Sequence, residues 1–196
     1  MAGLRVGGGA AAWSRAGFRC DRRGFRAGAI EIAVGAVAGS PGLWLDRPDA
    51  RLDGAADPVP QGECLPPADH PNGTVGVDHV VVATPDFERS LAAFDADGLR
   101  LRRTREAEIG GGPVRQAFYV AGPCLIELVG GIPAAQGAGP AVLWGVTFVT
   151  ANLGSLPALA PPVTASIEDA VQPGRRIAVA RAELGLPLPV AFMDPR

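Results

Sequence analysis

The sequence predicts an α+β protein built from repeated β-α-β-β-β units, and two observations support this prediction. First, a β-branched strand followed by a helix and further strands occurs in residues 75–130, and the pattern recurs more weakly in residues 143–194. Second, residues 57–74 are rich in proline and glycine and lack an apolar period. We therefore predict a linker at 57–74 between an N-terminal segment, 1–56, and a larger domain, 75–196.

The first unit opens with a predicted strand and helix. Residues 77–83, VDHVVVA, contain a run of valines, which favour extended backbone. Thr84 suits the N-cap of a helix, because proline and an acidic residue follow it. Phe87, Leu91 and Phe94 then recur at helical spacing, so we expect them to share the buried face of that helix.

Further strands complete the first unit, and a second unit follows. Residues 99–106 alternate as a strand does, and residues 115–130 have the pattern of a hairpin that turns at Gly-Pro. In the second unit, residues 143–160 repeat the strand and helix, with the helix interrupted by Pro157. Residues 174–194 then predict two closing strands.

The N-terminal segment resembles a shortened copy of the same unit. Residues 10–35 follow the order of residues 91–130: a helix of small residues, a glycine, a strand and a second apolar strand. A repeated unit can bury its apolar face only against another unit. We therefore expect residues 1–56 to form a reduced β-α-β-β module beside the larger domain.

Composition excludes several classes of function. The formal charge of −2 provides no whole-molecule attraction to nucleic acid or to an anionic membrane. All 18 basic residues are arginine, which excludes Schiff-base chemistry and a phosphate-binding P-loop, because both need a lysine. No apolar stretch is long enough to span a bilayer, and the three scattered cysteines read as reduced thiols. We expect a cytoplasmic protein with no nucleic-acid or membrane partner.

Two polar residues stand alone on apolar strands. Strand alternation puts Val77, His79 and Val81 on one face, and it puts Glu127 between apolar neighbours on a later strand. Burying a carboxylate without a partner costs roughly several kcal/mol. Glu127 therefore needs a partner, and His79 is the obvious candidate.

The paired units resemble the vicinal oxygen chelate superfamily, which includes glyoxalase I, extradiol dioxygenases and bleomycin-resistance proteins. The residues that carry the resemblance are VDHVVVATPDFERSLAAF and CLIELVG, supported by LWGVTFVTANL and LPVAFMD. The resemblance covers residues 75–196. It implies a glyoxalase-like domain whose paired β-α-β-β-β modules form a curved mixed sheet around a cavity.

The same resemblance implies positions for metal ligands. His79 matches the first-strand ligand of the first module, and Glu127 matches the last-strand ligand and would also be the catalytic residue. Gly145 stands where the second module would supply a ligand, and residues 191–193 contain no hard ligand. Half of the usual site is missing, so the expected cofactor is either none or a divalent ion such as Zn, Ni, Mn or Fe.

Other residues are candidates for contacts with a ligand. The aromatic residues on strands that should line the cavity or its back are Phe118, Tyr119, Trp144 and Phe192, and Arg175 could meet an anionic ligand at the cavity mouth. Four arginines between residues 100 and 105 form a basic cluster. Without an accompanying aromatic platform, this cluster is typical of a solvated strand face rather than of a nucleic-acid site.

Three functions follow from these observations. The first is a binding protein that holds an apolar or aromatic small molecule, with an incomplete or absent metal site. The second is a divalent-metal lyase, isomerase or dioxygenase that uses His79 and Glu127. The third is a non-catalytic scaffold with a filled interior. Whether the modules pair within one chain or in a homodimer stays open.

Overall fold

The computed structural model of the chain describes residues 2–35, 41–47, 49–58, 64–109, 111–132 and 135–196. Two β-sheets and two α-helices are the main elements of this part of the chain. The N-terminal elements are β1 (Gly3–Arg5), α1 (Ala10–Arg15), β2 (Gly24–Ala27), β3 (Ile30–Ala33) and β4 (Gly42–Trp44). Strand β1 pairs in parallel with β3 and antiparallel with β4, and the order of this sheet is β2-β3-β1-β4.

The larger sheet begins after the predicted linker, of which residues 59–63 lie outside the described residues. Its first module contains β5 (Thr74–Thr84), α2 (Phe87–Ala96), β6 (Arg100–Ile109), β7 (Gly112–Ala121) and β8 (Cys124–Gly130). Its second contains β9 (Val142–Thr150), a 3₁₀ helix (Leu153–Ala158), β10 (Glu168–Asp169), β11 (Arg176–Val179) and β12 (Val190–Met193).

The two modules share one topology, which confirms the predicted α+β class and the β-α-β-β-β repeat. In each module the first strand pairs in parallel with the last, β5 with β8 and β9 with β12, and the remaining strands add antiparallel. An antiparallel pairing of β5 with β9 joins the modules into an eight-stranded sheet, β10-β11-β12-β9-β5-β8-β7-β6. This sheet curls into a half-barrel.

Helix α2 begins two residues later than the sequence suggested. Strand β5 continues through Thr84, and the N-cap is Asp86, whose side chain accepts a hydrogen bond from the backbone nitrogen of Arg89 at 3.0 Å. The hydroxyl of Thr84 instead bonds the backbone of Asp86 and the hydroxyl of Ser90. Among the described residues, no helix has the length and apolar character needed to cross a membrane.

The core lies on one face of the large sheet, which we call the core face. The N-terminal segment packs here, and an aromatic cluster joins it to the sheet: the ring centroid of Phe18 lies 4.8 Å from that of Phe148 on β9. The end of the predicted linker reinforces this contact. Asn72 is fully buried, donates to the carbonyl of Ala16 in the N-terminal segment and accepts from Thr150 of β9 through its own carbonyl. The opposite face, which we call the open face, is left for the site.

Candidate functional site

A β-bulge in β5 shapes the open face. On β9, Phe148 pairs with Val77 and Thr147 pairs with His79, so Asp78 is an extra residue in β5. A bulge of this kind breaks the alternation of side chains along a strand. Val77 consequently joins the core, whereas Asp78 and His79 both line a cavity. The alternation predicted from the sequence, with Val77 and His79 on one face, is wrong at this point.

His79 and Glu127 come together across the neighbouring strands β5 and β8. The Nε2 atom of His79 lies 3.6 Å from Oε2 of Glu127 and 3.1 Å from Oγ1 of Thr147 on β9. The other ring nitrogen, Nδ1, lies 2.9 Å from Oδ2 of Asp78. The imidazole is therefore held between two carboxyl groups and a hydroxyl, and both of its nitrogens have polar neighbours.

Glu127 is a buried carboxyl group with a perturbed pKa. Its burial raises the pKa above the ordinary value, while attraction to His79 and Arg105 opposes the rise. The amide of Gln116 donates to Glu127, and Nε of Arg105 donates to the amide oxygen of Gln116 at 2.5 Å. Because its pKa is raised, Glu127 exchanges its proton closer to neutral pH than an exposed glutamate does.

Asp78 connects His79 to the opposite wall of the cavity. It is 4% exposed, and its Oδ1 lies 2.8 Å from Nη2 of Arg175. Burial acts to raise the pKa of Asp78, but hydrogen bonds from His79 and Arg175 outweigh burial and lower the pKa to about 2. Arg175 also donates to the carbonyl oxygen of Asp194 at 2.9 and 2.6 Å. A line of polar contacts therefore crosses the open face from β6 to the residues before β11.

These side chains border a cavity of about 710 Å³. Strands β6 and β7 form one wall, and residues 169–175 between β10 and β11 form the other. The basic side chains that line the cavity outnumber the acidic ones: Arg102, Arg103, Arg105, Arg175 and Arg196 against Asp78, Glu127 and Asp169. Apolar side chains such as Phe118, Leu125, Ile177 and Met193 complete the lining.

Of the five residues predicted to contact a ligand, Phe118 and Arg175 line the cavity. Tyr119 follows Phe118 in β7 and therefore points to the other face, where it is fully buried in the core. Phe192 is likewise buried in the core, and Trp144 packs in a separate apolar cluster whose residues do not line the cavity. The prediction for these three residues is corrected because alternation alone does not identify the open face.

Three polar residues of the site were not predicted from the sequence: Asp78, Gln116 and Thr147. Asp78 reaches the site because of the bulge, which short-range alternation does not reveal. Gln116 and Thr147 are placed by pairing: β7 runs beside β8, and Thr147 is directly opposite His79. Strand pairing, within the first module for Gln116 and between the two modules for Thr147, is the signal that could locate them.

The residues present do not fit a divalent metal held by the protein alone. Among the described residues, no three His, Cys, Asp or Glu side chains are grouped as a metal site requires, whereas catalytic zinc sites commonly use about three protein ligands. Gly145 occupies the position matched to a second-module ligand. A Cβ atom there would lie 3.2 Å from the carbonyl oxygen of Pro189, so the site is closely packed as well as lacking a donor.

Comparisons with known proteins find similar chains only among the solved structures. No family model matches the chain, and no curated protein matches it. Among solved structures, methylmalonyl-CoA epimerase from Mycobacterium tuberculosis is 14% identical, with 64% of this chain and 91% of that chain covered and a TM-score of 0.49. The enzyme from Streptomyces coelicolor is 16% identical, with coverages of 60% and 95% and a TM-score of 0.47. At these values the likeness carries no argument about reaction or ligand.

Proposed function

We propose that this chain binds a small organic molecule in the cavity on the open face of its large sheet. The observation that carries the proposal is a cavity of about 710 Å³ beside the close approach of His79 and Glu127. Small-molecule sites typically have volumes of about 300–1,000 Å³ and combine apolar walls with a few convergent polar groups. The cavity has both: Leu125, Ile177 and Met193 supply apolar surface, and the imidazole and carboxyl groups supply polar anchors.

The residues of the site favour a binding protein over a metal-dependent enzyme. His79 and Glu127 could supply two metal ligands. In the second module, Gly145 occupies the position where a third ligand would be needed. The polar groups already satisfy one another: Gln116 donates to Glu127, and Asp78 pairs with Arg175. A ligand bound here would be positioned by this preformed network.

A divalent-metal enzyme is the second candidate, and one contact favours it. Asp78 lies at Nδ1 of His79 and leaves Nε2 directed toward Glu127, as metal-binding histidines commonly have a carboxylate at the second nitrogen. We nevertheless expect well below one metal ion per chain when the purified protein is incubated with Mn, Fe, Ni or Zn, dialysed and assayed. Stoichiometric metal that disappears in His79→Ala would overturn the proposal of a metal-free binder.

The binding proposal is tested with small aromatic probes and a variant that blocks the cavity. We expect benzoate or benzamide at concentrations about tenfold above Kd to raise the melting temperature by a few degrees, because a ligand that binds only the folded state stabilises it by about 1.4 kcal/mol under those conditions. Ala170→Trp places a large ring at a residue lining the cavity and should abolish the shift.

Val179→Trp is the matched control, because Val179 is 64% exposed on β11 and does not line the cavity. This variant should retain the shift. If neither probe shifts the melting temperature of the wild-type protein, or if both tryptophan variants respond alike, the cavity is not a binding site for such molecules.

A further inference from the structure

The charge of the cavity differs from the charge of the protein as a whole. Five arginines and three carboxyl groups line the cavity, although the whole chain has a formal charge of −2. The excess of positive charge is therefore local to the open face. A concave surface with an excess of one sign of charge attracts ligands of the opposite sign.

A second β-bulge directs two consecutive arginines to this surface. Leu101 pairs with Tyr119 and Arg103 pairs with Phe118, so Arg102 is an extra residue in β6. Arg102 and Arg103 both line the cavity as a result, whereas regular alternation would direct one of them away. Among the described residues, neither guanidinium lies within 4.0 Å of a carboxylate oxygen.

Two arginines of β6, Arg103 and Arg105, are held in place although neither lies within 4.0 Å of a carboxylate oxygen in the part of the chain that the structure describes. The guanidinium carbon of Arg103 lies 4.7 Å from the ring centroid of Phe118, and that of Arg105 lies 5.3 Å from the same centroid. Arg105 also donates to Gln116. A guanidinium that stacks on an aromatic ring keeps its N–H groups at the edge free to donate. The two stacked guanidiniums are therefore preorganised to bind an anion.

The arginine on the other wall is already neutralised. Arg175 forms its ion pair with the buried Asp78 and donates to the carbonyl of Asp194. The two walls therefore differ: the β6 wall offers unpaired positive charge, and the wall before β11 offers a satisfied ion pair. A bound molecule would direct its anionic group to β6 and lay its apolar part against Leu125, Ile177 and Met193.

We propose that the cavity takes small organic anions, carboxylates or phosphates, and that Arg103 binds the anionic group together with its neighbours Arg102 and Arg105. This inference rests on the proposed binding function and specifies its ligand class. Guanidinium groups match the oxygens of carboxylates and phosphates in geometry, and hydrogen bonds to charged groups are stronger than those between neutral ones.

The test compares probes that differ in charge but have similar shape. Binding of benzoate, phenyl phosphate, benzamide and inorganic phosphate is measured by calorimetry on the full chain. We expect benzoate or phenyl phosphate to bind at least about tenfold more tightly than benzamide. The affinity for benzoate relative to that for phenyl phosphate shows whether the site prefers a carboxylate or a phosphate. Inorganic phosphate should bind more weakly than either, because it has no apolar group to pack against the cavity wall.

Arg103→Gln is expected to weaken binding of the preferred anion about tenfold and to leave benzamide binding unchanged. Arg100→Gln is the matched control, because Arg100 is exposed on the same strand and does not line the cavity. With the wild-type protein, added salt should weaken anion binding and spare benzamide, so the inference remains testable even if a variant fails to fold.

The outcomes distinguish a failure of the anion site from a failure of the proposed small-molecule binding. If benzamide binds as well as the anions, or if Arg103→Gln and Arg100→Gln behave alike, the anion site is overturned while the binding function stands. If inorganic phosphate binds as tightly as the organic anions, the organic part of the inference is overturned. If no probe binds, the proposed function itself fails.

Discussion

Replacing Phe148 with alanine is expected to lower the free energy of unfolding by about 3–5 kcal/mol, the usual cost of removing a buried aromatic side chain. Phe148 is fully buried on β9. Its ring centroid lies 4.8 Å from that of Phe18 and 6.4 Å from that of Trp13, both in the N-terminal segment, and 6.0 Å from that of Phe192 on β12. The substitution would leave a cavity where the two sheets meet.

Chemical denaturation monitored by tryptophan fluorescence and by circular dichroism measures this effect. Trp13 and Trp44 lie in the N-terminal segment and Trp144 lies on β9, so fluorescence reports on side-chain packing in both sheets, while circular dichroism reports on their backbone. Because Phe148 joins them, we expect one coincident transition at a lower denaturant concentration. Val179→Ala, at an exposed position of the same sheet, should change the free energy of unfolding little. A loss below about 1 kcal/mol for Phe148→Ala would contradict the tight packing described above.

The sequence predicts the strands and the helix of the large sheet more accurately than it predicts which side chains face the cavity. The valine-rich strand, the helix with Phe87 and Phe94 on its buried side and the repeated order of strands follow from local periodicity, and all are present. Periodicity works here because both modules bury one face of each strand against a common core.

Local periodicity fails where a strand contains an extra residue. Asp78 and Arg102 each interrupt the two-residue alternation, and each brings a second charged side chain into the cavity. A bulge results from pairing with a neighbouring strand, so the sequence of one strand does not predict it. The sequence predicts a solvated face for the arginines of β6 because it shows no aromatic platform beside them. Phe118, on which two of them stack, lies on the neighbouring strand β7.

The contact between His79 and Glu127 follows from reasoning that does not depend on strand alternation. A lone polar group on an apolar strand needs a partner, which predicts that His79 and Glu127 pair. The Nε2 atom of His79 lies 3.6 Å from Oε2 of Glu127. That reasoning depends on the cost of burial and holds whether or not a bulge lies nearby. It does not specify the role of the pair, which remains a prediction.

Removing the carboxylate of Asp78 is the second substitution expected to have a large effect. Asp78→Ala should lower the free energy of unfolding by about 3–5 kcal/mol, because it leaves a buried charge without its partner. Arg175 is 7% exposed and would retain a neutral acceptor, the carbonyl of Asp194. His79 would also lose the group at its Nδ1 atom.

Low pH should lower the free energy of unfolding of the wild-type protein in part, because it protonates Asp78. The pKa of Asp78 falls from 3.8 to about 2 on folding. A carboxyl group with a depressed folded pKa stabilises the protein above its unfolded pKa, and this stabilisation is lost as pH falls through the folded pKa. We therefore expect the free energy of unfolding to decline between pH 3.8 and about 2, and to decline less steeply in Asp78→Ala.

An exposed ion pair provides the control for this prediction. Glu88 lies 2.5 Å from Arg115 with 67% of its side chain exposed, and exposed pairs contribute little because water screens them. Glu88→Ala should therefore leave the free energy of unfolding almost unchanged. If Asp78→Ala costs no more than Glu88→Ala, Arg175 reaches water or another partner when Asp78 is lost. In that variant the wall of the cavity opposite β6 would carry free positive charge, and an anion would no longer be directed to β6 alone.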